Sequence, residues 1–177
     1  MVRFKFNSKL LAFVAVMALA VSLITGCSQA PLESPASEPK LLQRGMAASG
    51  AQLSGSNMYV EQIVSCSTGA TLSLFDVTLI VPPLAVNNDT LYSISIPDPA
   101  LFYNDFGTNG LHFNVPVTVI MSYRDVDLTN ISENTIRLAW FDEYYQSWQS
   151  MPCTVDIINK TVTGQLSHFS SYGLISD

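Results

Sequence analysis

The sequence predicts an all-β protein, folded as an antiparallel two-sheet β-sandwich, over residues 58–177. Short runs of Val, Ile, Thr, Leu and aromatic residues alternate with Gly, Pro, Asn and Asp, a pattern typical of strands separated by turns. Sequential strand candidates follow one another at the spacing of antiparallel neighbours in a sandwich. No helical period of apolar residues is sustained for more than a turn or two, and the length fits one domain.

The first strand candidates surround an Asn- and Asp-rich turn. "VTLIVPP" and "LAVNNDTLYSISIP" are predicted as strands with a turn at residues 87–89, because Asn and Asp tolerate the backbone conformations that turns need. "LHFNVPVTVIMSY" is apolar enough for a central strand. Pro116 is placed at the start of that strand, since Pro cannot donate a hydrogen bond to a neighbouring strand.

The second half of the domain predicts two hairpins and a final strand. "NTIRLAWFDEYYQSWQSMP" is interpreted as a hairpin with its loop at residues 142–146, and "CTVDIINKTVTGQL" as one that turns at residues 159–160. The chain then continues as one last strand. Because side chains alternate along a strand, His168 and Ser170 are predicted on its inner face and Phe169 on the opposite face.

The N-terminus has the three-part layout of an export signal. Three basic residues precede an apolar stretch over residues 10–24, and small residues follow. The end of the stretch, "ITGC", resembles a bacterial lipobox, so Cys27 is predicted to carry a lipid after removal of residues 1–26. An ordinary secretory signal and an uncleaved membrane helix are the alternatives. Several acyl chains, at about 0.8 kcal/mol per buried methylene, would hold the protein on a bacterial membrane, at the outer-membrane or periplasmic face or at the cell surface.

Residues 27–57 are predicted as a lipidated, flexible linker, because they are rich in Ser, Ala, Pro and Gly and lack a sustained apolar period. Removal of residues 1–26 takes away three of the 8 Lys and Arg residues and none of the 14 Asp and Glu residues, which leaves a net charge near −9. This charge argues against binding nucleic acid or an anionic lipid surface, since both are polyanions. Contact with the membrane is therefore expected through the lipid alone.

The two remaining cysteines, Cys66 and Cys153, are a candidate disulfide in an exported protein, or else two separate buried thiols. Together with His112 and His168 they show no close spacing typical of zinc, so neither a metal site nor a cofactor is predicted. No Gly-rich phosphate loop, nucleophile elbow or catalytic carboxylate pair occurs. An ordinary hydrolase or transferase is therefore not expected.

One family combines these segments in the same order. "GATLSL", "VTLIVPPLAV", "LHFNVPVTVIMSY", "IRLAWFDEYYQSWQSMPCTVD" and "KTVTGQLSHFSSYGL" resemble the ZU-five domain of zonula occludens proteins, Unc-five netrin receptors and ankyrins, over residues 69–174. The resemblance implies a β-sandwich that binds or scaffolds other proteins, and similar domains occur in bacterial exported proteins. One departure is Leu84, where the family usually has Gly after the paired prolines. Leu is unfavourable at that position if the turn needs a positive φ.

The resemblance also implies one candidate reaction. Some relatives in animal signalling proteins cut themselves within a His-Phe-Ser triplet, which maps onto His168, Phe169 and Ser170. Ser170 would then attack the Phe169 carbonyl, with His168 as the base. The alternative is that the triplet only seals the last strand into its sheet.

Aromatic residues of the first hairpin are the best candidates for contact with a ligand. Trp140 shares a strand face with Ile136 and Leu138 and is predicted in the core, whereas Tyr144 and Tyr145 lie at the loop. We therefore expect a non-catalytic, lipid-anchored envelope module that binds a protein or a glycan. A self-cleaving domain and a purely structural envelope lipoprotein are the alternatives.

Overall fold

The computed structural model describes residues 39–45 and 58–176, and these form two antiparallel β-sheets. The predicted all-β sandwich is confirmed. Twelve strands make up the described part: β1 Lys40–Leu41, β2 Tyr59–Val64, β3 Ala70–Leu74, β4 Val77–Val81, β5 Thr90–Ser95, β6 Tyr103–Gly107, β7 His112–Ser122, β8 Arg137–Asp142, β9 Ser147–Met151, β10 Cys153–Asp156, β11 Thr161–His168 and β12 Ser171–Ser176. A 3₁₀ helix at Glu133–Thr135 precedes β8.

The two sheets divide the strands into opposite layers. The seven-stranded sheet has the order β2-β5-β6-β12-β8-β9, with β1 beside β12, and the five-stranded sheet has the order β10-β11-β7-β4-β3. Apolar side chains from both layers meet between them. The largest fully buried ones include Tyr92, Tyr123, Tyr172, Phe102, Phe106 and Phe169.

Both predicted hairpins are present. The first is β8–β9, joined by residues 143–146, and the second is β10–β11, joined by residues 157–160. The predicted turn at residues 87–89 lies between β4 and β5, which belong to different sheets. Pro116 falls inside β7 rather than at its start. It lies next to the stretch where the register between β7 and β11 shifts, so its missing N–H breaks no regular pair.

The prediction of one continuous final strand is wrong. Strand β11 ends at His168 in the five-stranded sheet, and β12 begins at Ser171 in the seven-stranded sheet. The chain crosses between the layers at residues 169–170, so the simple alternation of faces fails there. Phe169 is fully buried in the core instead of covering the outer face.

Part of the predicted linker belongs to the sandwich. Lys40 and Leu41 pair with Ser176 and Ile175 of β12, and Leu42 is fully buried. The chain then forms isolated bridges at Gln43 and Arg44. The prediction of a flexible linker therefore does not hold for residues 39–45, which pair within the sandwich. Their alternating buried side chains are too few to show in a composition count.

Arg44 fixes this N-terminal segment through a buried ion pair. Its side chain is 1% exposed, and its Nε lies 3.0 Å from Oδ2 of Asp76 in the turn between β3 and β4. The guanidinium also donates to the carbonyls of Asp98 and Leu101, and it lies 4.7 Å from the ring centre of Phe102. One chain segment is thereby tied to loops of both sheets.

Burial raises the pKa of Asp76, and the adjacent guanidinium of Arg44 opposes that rise. Oδ1 of the same carboxyl is buried without a hydrogen-bond partner in the described part of the chain. Arg44 is therefore the principal compensation for the buried carboxylate.

The predicted signal peptide over residues 1–26, Cys27 and the rest of the predicted linker lie outside the described residues. Within residues 39–45 and 58–176, no helix is long and apolar enough to cross a membrane.

Candidate functional site

The exposed tip of the β8–β9 hairpin carries the two predicted contact residues. Tyr144 is 86% exposed and Tyr145 is 70% exposed, and their rings meet edge to face with centres 4.9 Å apart. Oδ1 of Asp142 accepts hydrogen bonds from the backbone N–H groups of Tyr144 at 2.8 Å and Tyr145 at 3.2 Å. An aspartate at the end of β8 thus fixes the turn that holds both rings in solvent.

A shallow depression of about 360 Å³ lies beside this tip. The hairpin and the His-Phe-Ser triplet both line this depression, although nothing in the sequence indicated that the two segments are neighbours in space. Its lining combines aromatic rings, two carboxylates, an amide, an imidazole and two hydroxyls: Asn109, Gly110, Trp140, Phe141, Asp142, Glu143, Tyr144, His168, Phe169 and Ser170. Such a mixture offers stacking faces and hydrogen-bonding groups at the same place.

Trp140 forms one wall of the depression. It is half-buried and packs on the edge of the core, and its ring meets that of His168 edge to face at 5.3 Å. The neighbouring Leu138 is fully buried, as the predicted strand face requires. Trp140 therefore serves both the core and the surface of the depression.

His168 is held by the backbone around it. Its Nδ1 lies 3.3 Å from the carbonyl oxygen of Phe169 and 3.5 Å from the hydroxyl of Tyr172. That hydroxyl donates to the carbonyl of His168 at 2.8 Å. Burial raises the pKa of Tyr172, so the hydroxyl keeps its proton and stays a donor.

The peptide bond between Phe169 and Ser170 has one of the groups that self-cleavage needs, namely a hydrogen-bond donor at its carbonyl oxygen. The Phe169 carbonyl oxygen accepts a hydrogen bond from the backbone N–H of Gly110 at 3.0 Å, in addition to its contact with His168. The Ser170 hydroxyl, however, donates to the carbonyl of Phe141 at 3.4 Å. Within the described residues the structure contains no hydrogen bond between His168 and Ser170, so the base and the nucleophile are not paired.

The candidate disulfide is not formed. Cys66 and Cys153 are both free thiols. Cys66 follows β2 at the edge of the sandwich where β2 and β3 lie, whereas Cys153 is in β10 at the opposite edge of the five-stranded sheet. The intervening strands place the two residues too far apart for a bond that requires Cα atoms within about 7 Å.

His112 is a neighbour of His168 that the sequence did not indicate. The two residues are register partners across β7 and β11, and their ring centres lie 5.6 Å apart. Only the strand pairing brings them together, so spacing along the chain carried no signal. Across residues 39–45 and 58–176, no group of three or more His, Cys, Asp and Glu side chains is arranged to hold a metal ion.

Leu84 occupies the position that the family resemblance assigns to Gly. Its φ is 63°, in the left-handed region, and its backbone N–H donates to the carbonyl of Cys66 at 2.7 Å. The turn after the paired prolines thus needs a positive φ, and this chain makes it with a residue that disfavours that conformation.

The fold and the site define the protein as an all-β sandwich with an exposed aromatic hairpin tip beside a shallow depression. Comparison of the chain with models of known protein families finds no match, and comparison with curated proteins finds no similar sequence. The resemblance to the ZU-five domain therefore stays a prediction.

Proposed function

We propose that this protein is a non-catalytic, lipid-anchored module of the bacterial cell envelope that binds a glycan or a protein through the tip of its β8–β9 hairpin. The exposure of Tyr144 and Tyr145, two rings that meet edge to face on a turn fixed by Asp142, is the observation that carries the proposal. Contact with a partner would remove the apolar faces of both rings from water, which favours binding. The two hydroxyls would still form hydrogen bonds at the interface.

The depression beside the tip favours a glycan over a protein as the ligand. Trp140 and Tyr144 offer ring faces, while Asp142, Glu143 and Asn109 offer acceptors and donors for hydroxyl groups. The depression is also much smaller than a standard protein interface, which buries about 800 Å² on each partner.

The position of the tip suits a module tethered through its N-terminus. Lys40 pairs with Ser176 at the last residue of β12, whereas Tyr172 at the start of β12 pairs with Trp140, next to the hairpin tip. The chain therefore joins the sandwich at one end of β12 and presents the tyrosines at the other end. Only the residues before 39 remain as a spacer to a lipid on Cys27.

Binding is tested with the full chain, purified in detergent, on a glycan array and in pull-downs from envelope extracts. The double variant Tyr144→Ala, Tyr145→Ala is expected to lose binding. The control Ile158→Ala removes a 91% exposed apolar side chain from the other hairpin and is expected to bind as the wild type does. Equal binding by the tyrosine variant would refute the contact site, and the absence of any ligand would favour the purely structural alternative.

The anchor is tested separately by cell fractionation. The variant Cys27→Ser is expected to leave the detergent-soluble membrane fraction, because no acyl chain can be attached to it. Retention of Cys27→Ser in that fraction would refute the lipid anchor while leaving the contact site untouched.

Self-cleavage is the second candidate function, and the Gly110 N–H on the Phe169 carbonyl is the observation in its favour. The Ser170 oxygen would attack this carbonyl carbon while its hydroxyl proton passes to His168. The bond from that carbon to the Ser170 nitrogen would then break as the nitrogen takes up the proton, and water would hydrolyse the resulting ester. Negative charge on the carbonyl oxygen would meet the Gly110 N–H and His168. The Ser170 side chain would first have to leave Phe141.

Intact mass of the denatured protein decides this second function. Cleavage predicts a C-terminal fragment that begins at Ser170 in the wild type and is missing from Ser170→Ala. A single uncut mass for both proteins would eliminate it.

A further inference from the structure

The structure brings together the two histidines of the chain. The sequence contains 2 histidines, His112 and His168, far apart along the chain. They are register partners in β7 and β11, just beyond the shift in register, with ring centres 5.6 Å apart. Directly opposed residues of an antiparallel pair direct their side chains to the same face of the sheet.

The distance between the rings is close to that of two imidazoles on one metal ion. With a metal–nitrogen bond of about 2.1 Å and a ring centre about 1.1 Å further on, two imidazoles at a tetrahedral angle have centres about 5.2 Å apart. The observed 5.6 Å is close to this value. We propose that His112 and His168 form a two-imidazole binding site for a divalent transition-metal ion, namely Ni²⁺, Cu²⁺ or Zn²⁺.

The surroundings of His168 prepare its ring for this role. A carbonyl oxygen only accepts hydrogen bonds, so the contact of Nδ1 with the Phe169 carbonyl places the ring proton on Nδ1. Nε2 then carries the free lone pair. A metal-binding histidine commonly donates its other N–H to a carbonyl in this way, which fixes the ring and makes it a better ligand.

Both histidines are also accessible, and the nearby negative charges favour a cation. His112 is exposed, and His168 lines the depression that Asp142 and Glu143 also line. These carboxylates attract cations without having to be ligands. Imidazole selects transition metals over Ca²⁺ and Mg²⁺, which prefer oxygen ligands. Water molecules would complete the coordination sphere.

This site goes beyond the proposed contact with a glycan or a protein, and its test does not depend on that ligand. The full chain in chelator-free detergent solution, with its thiols blocked by N-ethylmaleimide, is titrated with Ni²⁺. Calorimetry measures the affinity, and tryptophan fluorescence reports the location, because Trp140 lies 5.3 Å from the ring of His168.

We expect saturable binding of one Ni²⁺ with quenching of Trp140. His112→Asn, a change of an exposed side chain, is expected to weaken the affinity at least tenfold and to abolish the quenching. Ile158→Ala, which removes an exposed side chain at the other end of β11 from His168, is the control and is expected to keep the wild-type affinity. Equal affinity of His112→Asn and the wild type, or binding without quenching, would overturn the proposal.

Discussion

Replacement of Arg44 by Met is expected to destabilise the sandwich strongly at neutral pH. The guanidinium is the partner of the buried Asp76 carboxylate at 3.0 Å and also donates to the carbonyls of Asp98 and Leu101. Met keeps the length of the side chain but supplies neither charge nor donors. The substitution therefore leaves a buried carboxylate without its compensating charge.

The size of the effect follows from that uncompensated charge. Removing one partner of a buried ion pair costs about 3–5 kcal/mol, most of it from the charge left behind. The substitution Asp76→Asn neutralises the unpaired carboxylate and so removes this cost. The double variant Arg44→Met, Asp76→Asn is therefore expected to be about 2 kcal/mol more stable than the sum of the two single effects predicts. A domain with about 5–15 kcal/mol of stability stays folded for the measurement.

The dependence on pH provides an independent check. Burial already raises the pKa of Asp76 in the folded protein, and loss of Arg44 removes the group that opposes the rise. A carboxyl with a raised folded pKa takes up a proton more readily when folded, so stability increases as the pH falls through that folded pKa. The deficit of Arg44→Met is therefore expected to shrink between pH 7 and about pH 4.5.

Equilibrium urea unfolding of the full chain, followed by tryptophan fluorescence, measures Arg44→Met, Asp76→Asn, the double variant and the wild type at both pH values. Arg44→Lys is the control that retains the charge, and it is expected to lose less than Arg44→Met. A loss below about 1 kcal/mol for Arg44→Met, or strictly additive single effects, would refute the assigned role of the ion pair.

Three further outcomes follow from the structure. Leu84→Gly is expected to unfold at higher urea than Leu84→Ala, by about 0.5–1 kcal/mol, because φ is 63° at this position; the opposite order would show that the turn does not hold a positive φ. Glu133 has a lowered pKa through its hydrogen bonds with Lys160, so its stabilisation is present above about pH 4.5 and is lost as the pH falls through the folded pKa. Urea unfolding of Glu133→Gln should consequently approach that of the wild type in acid, and a constant gap would contradict this. Alkylation of the denatured, unreduced protein should label both Cys66 and Cys153, whereas protection of the pair would show a disulfide.

Local patterns were sufficient for the hairpins. The turn of β8–β9 depends on Asp142 accepting N–H groups two and three residues later, and Asp156 does the same in β10–β11 for Ile158 and Asn159. Such contacts lie within a few residues of sequence, where composition predicts them. The exposure of Tyr144 follows from the same turn.

Features that depend on pairing between distant segments were not predicted. The crossing between sheets at Phe169 is one of them, because the alternation of a single strand places this residue on the opposite face, whereas the structure buries it in the core. The pairing of Lys40 with Ser176 and the contact of His112 with His168 arise from sheet topology. The separation of Cys66 from Cys153 also follows from strand order, which no spacing along the chain reveals.

The contacts of residues 39–45 bear on the proposed role of the protein as an anchored module. In an anchored module bound at its hairpin tip, force would enter the sandwich at Pro39 and leave through Tyr144 and Tyr145, at opposite ends of β12. Such a load runs parallel to β1 and β12, so the bond from the Leu42 N–H to the Leu174 carbonyl, at 2.8 Å, and the contacts of Arg44 would resist it together. In such an anchored module, the buried ion pair would hold the chain in place at the point where it joins the domain.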